Sequence, residues 1–432
     1  MAQPNDAALR LHPIGAKAYP GWTPAMVTAI SRLRESGRKW YSLYDKVGSA
    51  DILRWSWHQV AANRGAAGVD GQSVKAFGAQ AELHLAELQR RLAQRRYQPL
   101  PGRRCWIAKE GRQKARRPLG IPAVRDRVVQ AAVVNVLEPI FEAKFLGCSF
   151  GFRPGRSPRQ ALDRVSQALA QGQTWVVDAD IRGCFDNIPH APVIAEVARE
   201  VADGTVLALL TAFLKAGVLE GRDFQPTEIG TPQGAVLSPL LANIYLHRLD
   251  AALTAHGYTL VRYADDFVVL CRSQAAAEAA LTAVRHVLAE LGLALSEEKT
   301  RVVDVQSGMF TFLGYTFRQA WRFPSDRALR RLRAKLRPLT RRQQPRAVQA
   351  VVAAVNPVLR GWGQYFRHGH CLKAFDRLDG WVRMRLRSFL WKRKARGRAH
   401  HLWPNAYWAS LGLFALVTLA RSADPLRRGA AV

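Results

Sequence analysis

At 432 residues and 48% hydrophobic content, the chain is long enough to bury a sizeable core and too apolar to be disordered. Its 64 Lys and Arg against 33 Asp and Glu leave a formal charge of +31, more than solubility requires, which favours a polyanionic partner and places nucleic acid ahead of a membrane surface. No run of about 18 apolar residues is available to cross a bilayer, and five scattered cysteines without a Cys-x-x-Cys pair argue against a disulfide framework and fit a reducing cytoplasm.

Residues 1–22 are rich in Pro, Ala and Gly and open without a charged-then-apolar signal. From Met26 to Val60 the apolar positions recur at helical spacing, with Arg32, Arg34, Arg38 and Lys39 on the polar face, which predicts a basic helical entry segment. A glycine-rich turn at 65–71 precedes a predicted helix over 79–96, which stops before Pro99 and Pro101. Residues 105–122 read as a basic hairpin with Gly111 in its turn. Its Lys109, Arg112, Lys114, Arg116 and Arg117 suit a triphosphate or a nucleic-acid backbone, and equally a solvated charged loop. A helix over 126–145 follows, then a second basic loop, Gly151-Phe-Arg-Pro-Gly-Arg156, carrying Arg153 and Arg156.

Residues 174–188 open as a strand in which Asp178 and Asp180 share one face. Asp180, with Phe185 five residues later, is the candidate ligand here, while Asp178 and Asp186 read as structural hydrogen-bonders; Pro189 then opens a helix. At 230–245 a Pro/Gly loop runs into an apolar helix. Its small residues let backbone approach a flat ligand, and Gln233 offers an amide to a base or sugar.

The stretch 260–271, Leu-Val-Arg-Tyr-Ala-Asp-Asp-Phe-Val-Val-Leu-Cys, places two runs of strand formers around Ala264-Asp265-Asp266, which predicts a hairpin with both aspartates at its tip. A solvated turn is the plain reading of such a pair. As ligands, adjacent carboxylates repel unless a cation sits between them. Hard oxygen donors call for Mg²⁺ or Mn²⁺, and two such ions about 3.5–4 Å apart are the apparatus of in-line phosphoryl transfer. Beyond it come an Ala-rich helix over 273–291, a turn at 295–300 with Lys299 exposed, and a further hairpin over 310–317.

Composition changes after Ala320: residues 321–400 hold 22 Lys and Arg against Asp326, Asp376 and Asp379, which supplies most of the excess charge. Helical spacing over 348–359 and 374–391 predicts a small bundle, with Trp362, Tyr365, Phe366, Trp381 and Trp391 serving mainly as core and otherwise for stacking on bases. His368-Gly-His370-Cys371 has no second half-site and is not a zinc site. The tail from His400 is less charged, and 411–419 reads as a short buried helix.

Taken in order, these segments resemble the reverse transcriptase and maturase proteins of bacterial group II introns. Arg-Pro-Leu-Gly-Ile-Pro at 117–122 with Asp126-Arg127, the 151–156 loop, Asp180-Ile-Arg-Gly-Cys-Phe-Asp-Asn-Ile188, Thr231-Pro-Gln-Gly with Ser238-Pro-Leu, Tyr263-Ala-Asp-Asp266, Glu298-Lys-Thr300 and Phe312-Leu-Gly-Tyr315 look like the polymerase blocks. Gly361-Trp-Gly-Gln-Tyr-Phe366 looks like the maturase signature, and the likeness runs from about residue 40 to beyond 410.

The resemblance implies an α/β (α+β) right-hand polymerase, with fingers and an antiparallel palm sheet bearing the catalytic aspartates, followed by an α-helical basic thumb. It divides the chain into an N-terminal extension (1–60), fingers and palm (61–320), a thumb or maturase region (321–395) and a small, DNA-binding extension (396–432). Asp180, Asp265 and Asp266 match the catalytic and metal-binding positions, with two Mg²⁺ ions that Mn²⁺ can replace. Lys109, Arg117, Phe185 and Gln233 match nucleotide-binding positions, Phe185 lying beneath the sugar and Gln233 near the templating pair. Lys299 is the candidate general acid. Arg153, Arg156, Arg383, Arg387, Lys392 and Arg393 are the candidates for gripping RNA and the template–primer duplex.

The implied activity is RNA-templated DNA synthesis with splicing assistance. Its partners are intron RNA, a template–primer duplex, target DNA and deoxynucleoside triphosphates, in a cytoplasm where the protein joins the nucleoid when acting on DNA. The chain shows no Cys/His-containing HNH nuclease after the thumb, so a primer would come from elsewhere, such as a nascent strand. Two rivals are an RNA-binding splicing cofactor with an idle polymerase and a reverse transcriptase domesticated for antiviral or CRISPR-associated defence.

Overall fold

The computed structural model of the protein describes residues 39–108, 116–231, 234–392 and 401–422. Lys109, Gln233 and Arg393, together with Arg112, Lys114 and the entry segment through Arg38, lie outside the described residues. The chain divides into two compact units. The first takes in the described residues up to Ala161, Ala179–Val269 and Ala275–Arg301; the second takes in Leu162–Asp178, Leu270–Gln274 and the described residues from Val302 onward.

Eight strands build two four-stranded sheets: β1 (Gly102–Ala108), β2 (Arg116–Ile121), β3 (Trp175–Asp180), β4 (Val218–Glu220), β5 (Asp223–Gln225), β6 (Thr259–Tyr263), β7 (Asp266–Cys271) and β8 (Arg301–Asp304). Their orders are β2-β1-β4-β5 and β6-β7-β3-β8. β1 and β2 form the expected antiparallel pair, with Ile107 opposite Arg117, and β1 also runs parallel to β4 with Gly102 beside Val218.

Three of the first unit's helices are α1 (Ala50–Ala62), α2 (Ala81–Ala93) and α3 (Val124–Glu142). The expected helix from Met26 to Val60 is not continuous over its described part. Ser42 takes a φ of 53°, and the Ser49 hydroxyl accepts from the Ile52 amide to start α1 afresh. Likewise the helix expected over 79–96 is interrupted at Gln80, whose φ of −133° separates Val74–Ala79 from α2. α1 buries Ile52, Leu53, Trp57 and Val60, and α3 is buried on every side by Val128, Val129, Ala132, Val133, Val136 and Leu137. Between them Asn135 donates to the Ser56 hydroxyl at 3.0 Å and to Gln59 Oε1 at 3.1 Å, so the buried Asn135 and Ser56 are paired across the two helices.

Asp126 at the start of α3 accepts from the Tyr97 hydroxyl at 2.6 Å and from the Leu100 amide at 3.0 Å. Burial pushes its carboxyl above the ordinary range despite both donors. A carboxyl held up in the fold stabilises fully only below its unfolded pKa, and that stability is lost as pH rises through the folded one. Asp126→Asn removes this loss while keeping an acceptor for Tyr97. Melting curves of the two proteins should therefore shift relative to each other in the variant's favour as pH rises from 4 to 7; a constant difference would contradict the assignment.

The second unit carries a three-stranded meander, β9 (Phe310–Phe312), β10 (Tyr315–Arg318) and β11 (Trp321–Pro324), in the order β11-β10-β9. The hairpin expected over 310–317 is its first two strands, with Tyr315 opposite Phe312. Arg322 ties the unit together by donating to Asp163 Oδ1 at 2.6 Å and to the His368 carbonyl at 2.9 Å. Three helices follow, α4 (Asp326–Leu339), α5 (Val348–Phe366) and α6 (Leu372–Leu390).

α4 starts at Ser325, whose hydroxyl accepts from the Ala328 amide, and buries Ala328, Leu332 and Leu336 at four-residue spacing. Arg327, Arg330, Arg331, Lys335 and Arg337 fall off that stripe and are exposed. Of the helix expected over 411–419 only the end forms, within Leu416–Ser422; Asn405–Ser410 is a separate short helix before it, and Gly412 takes a φ of 71° between the two. Among the described residues no helix is long and apolar enough to cross a membrane, and all five cysteines are free thiols.

Candidate active site

The strand-forming runs on either side of Ala264-Asp265 fold as the expected hairpin, β6 into β7, with Ala264 and Asp265 in the turn. Ala264 adopts φ 60°. That conformation costs an L-residue about 1–2 kcal/mol, so the surroundings must hold the turn in place.

They do so from beneath. Arg262 is fully buried and donates from Nε and Nη2 to the equally buried carboxylate of Asp250. Its Nη1 donates to Asn243 Oδ1 at 3.0 Å and to the Ala264 carbonyl at 2.9 Å. Asn243 in turn donates to the Gly151 carbonyl at 2.9 Å. A Cβ on Gly151 would overlap the Ala264 amide nitrogen, so the 151–156 loop and the turn touch through a residue without a side chain.

Asp180 ends β3. Its carbonyl accepts from the Ser296 amide at 2.8 Å, the Arg182 amide donates to the Ala294 carbonyl at 2.9 Å, and Ile181 bridges Leu295. This pairing docks the 295–300 turn against the strand end and delivers Lys299, whose Nζ donates to Asp180 Oδ2 at 2.6 Å. Burial raises the pKa of Asp265, and the charge of Asp180 raises it further, against opposing pulls from the backbone and from Arg117 and Lys299. Residues far apart in the chain are thus brought within electrostatic reach: Asp180, Asp265, Arg117 and Lys299. Burial also pushes the neighbouring Cys184 thiol up to about 12, so it contributes no charge at neutral pH.

Asp266 does not complete a trio. It begins β7 directly after the turn that carries Asp265 and is exposed. Among the described residues no group of three or more His, Cys, Asp or Glu stands close enough together to hold a metal ion. Two carboxylates remain, and two suffice for a hard cation that takes its remaining oxygens from water and substrate phosphates, as Mg²⁺ commonly does. The donor set therefore fits.

Phe185 is half-buried in the short helix Cys184–Asn187, and its carbonyl accepts from the Thr231 amide at 2.7 Å. Gly230, at φ 91°, lies so close to Asp186 that a Cβ would meet its carbonyl oxygen at 2.7 Å. The backbone at Gly230 and Thr231 is thereby fixed on the Asp180–Asn187 segment. Arg117 is exposed on β2.

Two of the expected RNA-binding cations are committed to the fold instead. Arg153 is buried, forks onto Glu142 at 2.7 and 2.9 Å and donates to the carbonyls of Leu146 and Ser149. Arg387 is buried and donates to the Trp403 carbonyl at 2.9 Å and to Asn405 Oδ1 at 3.1 Å. Arg156 is partly withdrawn over the Phe150 ring, at 5.5 Å. Arg383 is half-buried, and Lys392 is exposed with its Nζ 4.3 Å from the Phe389 ring centre. The exposed face of α4 was missed by the sequence reading, although the Ala328, Leu332, Leu336 spacing leaves its arginines off the buried stripe and so readable.

Residues 107–317 match the family described as reverse transcriptase (RNA-dependent DNA polymerase), and residues 329–408 match the group II intron maturase-specific domain. The group II intron-encoded protein LtrA of Lactococcus lactis subsp. cremoris is 40% identical over 210 residues, 48% of this chain and 34% of LtrA. The chain thus matches about a third of LtrA's length. Protein YkfC of Escherichia coli (strain K12) is 35% identical over 287 residues, 57% of this chain and 74% of YkfC. Among solved structures, a partial Cas6-RT-Cas1–Cas2 complex matches at a TM-score of 0.37 and 24% identity, covering 57% of this chain and 42% of its own.

Proposed function

This chain belongs to the group II intron reverse transcriptase and maturase family, and on that footing we propose that it extends a DNA primer along an RNA template and binds intron RNA to assist its splicing. Members of this family use divalent metal ions; here the ions are two Mg²⁺, replaceable by Mn²⁺, with Asp180 and Asp265 as their protein ligands. The observation that carries the reading is the convergence of Asp180, at a strand end, and Asp265, in the β6–β7 turn, with Arg117 and Lys299 acting on the Asp265 carboxylate.

The metal pair, when bound, lowers the pKa of the primer 3′-hydroxyl and offsets charge on the triphosphate and the departing pyrophosphate. Arg117 presents a planar fork of donors that orients the triphosphate. Phe185 supports the sugar from below and excludes a 2′-hydroxyl. Lys299 holds a proton at Nζ that the pyrophosphate can take once Asp180 is otherwise engaged. Lys109 and Gln233 would join the nucleotide contacts, and Asp266 serves the site from its rim. The exposed cations of α4, with Arg383, Lys392 and Arg393, grip the template–primer duplex and the folded RNA. Target DNA is the further polyanion implied, at the nucleoid.

The test uses the full chain, an RNA template with an annealed DNA primer, the four deoxynucleoside triphosphates and Mg²⁺. Extension to the template's 5′ end is expected, and chelation of the metal should stop it. RNA binding and splicing without any extension would replace this reading with that of a splicing cofactor whose polymerase is idle.

A further inference from the structure

We propose that Arg262 is a positioning residue for Asp265: a buried guanidinium that sets the peptide plane leading into the metal-binding carboxylate. The proposal deepens the polymerase reading and rests on it. Four observations converge. The peptide it grips is the one between Ala264 and Asp265, in a turn whose φ of 60° is not self-supporting for alanine. Rotation of that peptide swings the carboxylate, so whatever fixes the Ala264 carbonyl fixes the direction of the metal ligand.

The guanidinium itself cannot drift. Asp250 takes two of its nitrogens, and Asn243 takes the third along with Ala264. Both partners sit on the helix Ser238–Ala255, seven residues and hence two turns apart, so they present themselves on one face. The backbone of Arg262 is pinned as well: its amide donates to the Cys148 carbonyl at 2.8 Å, and its carbonyl accepts from the Phe150 amide at 2.9 Å. Gly151 also closes against the turn backbone at Tyr263 and Ala264.

A buried ion pair by itself adds little that well-packed apolar residues of equal volume would not. An apolar pair here would, however, offer no donor to Ala264. Direction, not cohesion, is what Arg262 supplies. It stands to Asp265 as the outer partner of a metal ligand stands to the ligand, and loss of such partners typically weakens metal affinity or activity about 10–100-fold.

Arg262→Lys keeps a cation beside Asp250, but one ammonium cannot serve Asp250, Asn243 and Ala264 together. In the full chain with an RNA template and DNA primer, kcat for nucleotide addition should fall about 10–100-fold, with KM for the triphosphate and template affinity within about twofold. Mn²⁺ titration followed by electron paramagnetic resonance, without any turnover, should show binding weakened by a similar factor. Val284→Ala, a cavity in the helix Gln274–Glu290 of the same unit, serves as the stability control: it should lower the melting temperature and leave both readouts unchanged. If Arg262→Lys does not fold, Asn243→Ser loosens the same guanidinium and should give the same signature in smaller measure. A variant that melts early yet keeps wild-type kcat and Mn²⁺ affinity overturns the proposal. Failure of the polymerase reading is a different result: wild-type protein that binds Mn²⁺ normally and adds no nucleotide.

Discussion

On the proposed reading, Asp265→Ala is expected to abolish primer extension, by about 10³-fold or more, because it would remove a proposed metal ligand whose contribution to the transition state amounts to several kcal/mol at 1.36 kcal/mol per tenfold. Two further results separate this from general damage. Burial and the charge of Asp180 both raise the pKa of Asp265, so its ionised form is held at a cost, and the variant should melt at the same temperature as wild type or higher. RNA affinity, which depends on cations elsewhere, should stay within about twofold of wild type by filter binding, since an uncharged turn removes no phosphate contact. Asp266→Ala, exposed at the start of β7, should lose less activity than Asp265→Ala. Equal, small losses for the two would mean the hairpin tip is a surface turn.

The second large effect is on salt. If the basic surface contacts six to ten phosphates, affinity for a template–primer duplex falls about 10³–10⁵-fold between 50 and 200 mM salt, and the log–log slope counts the contacts at roughly 0.9 each. Replacing Arg327, Arg330 and Arg331 of α4 by Gln should reduce that slope by about 2–3, a change that titration at several salt concentrations resolves. Arg153→Gln should leave the slope alone, because its guanidinium already belongs to Glu142. It should instead cost about 3 kcal/mol of stability, the usual penalty for stranding one partner of a buried pair. A reduced slope for Arg153→Gln would restore it to the nucleic-acid surface.

What the sequence revealed depended on whether the signal was local. The β6–β7 hairpin was legible because strand formers flank a short polar turn, and the α3 and α5 helices because apolar residues recur over many turns. Asp180 was found as a strand-end carboxylate, and its nearness to Asp265 followed from family resemblance. The boundaries at Ser49, Gln80 and Gly412 were missed since single-residue caps and backbone angles override periodicity. Arg153 and Arg387 were misread because a motif lists side chains without saying which carbonyls lie beneath them. Arg262 was passed over for the same reason: its partners Asn243 and Asp250 lie on the preceding helix. The available clue was one cation inside an apolar strand with an acid twelve residues upstream.

One pairing in the β2-β1-β4-β5 sheet bears on how the chain is made. Gly102 lies beside Val218, so the β1–β2 hairpin emerges from the ribosome long before the strand that covers its flank. Through that interval Gly102 and Arg103 lack the partners Val218 and Leu219 that later cover them, a short border of the kind at which nascent chains adhere to one another. A pause in translation before β4 therefore prolongs a sticky intermediate, and the rate of synthesis through this region bears on the yield of soluble protein.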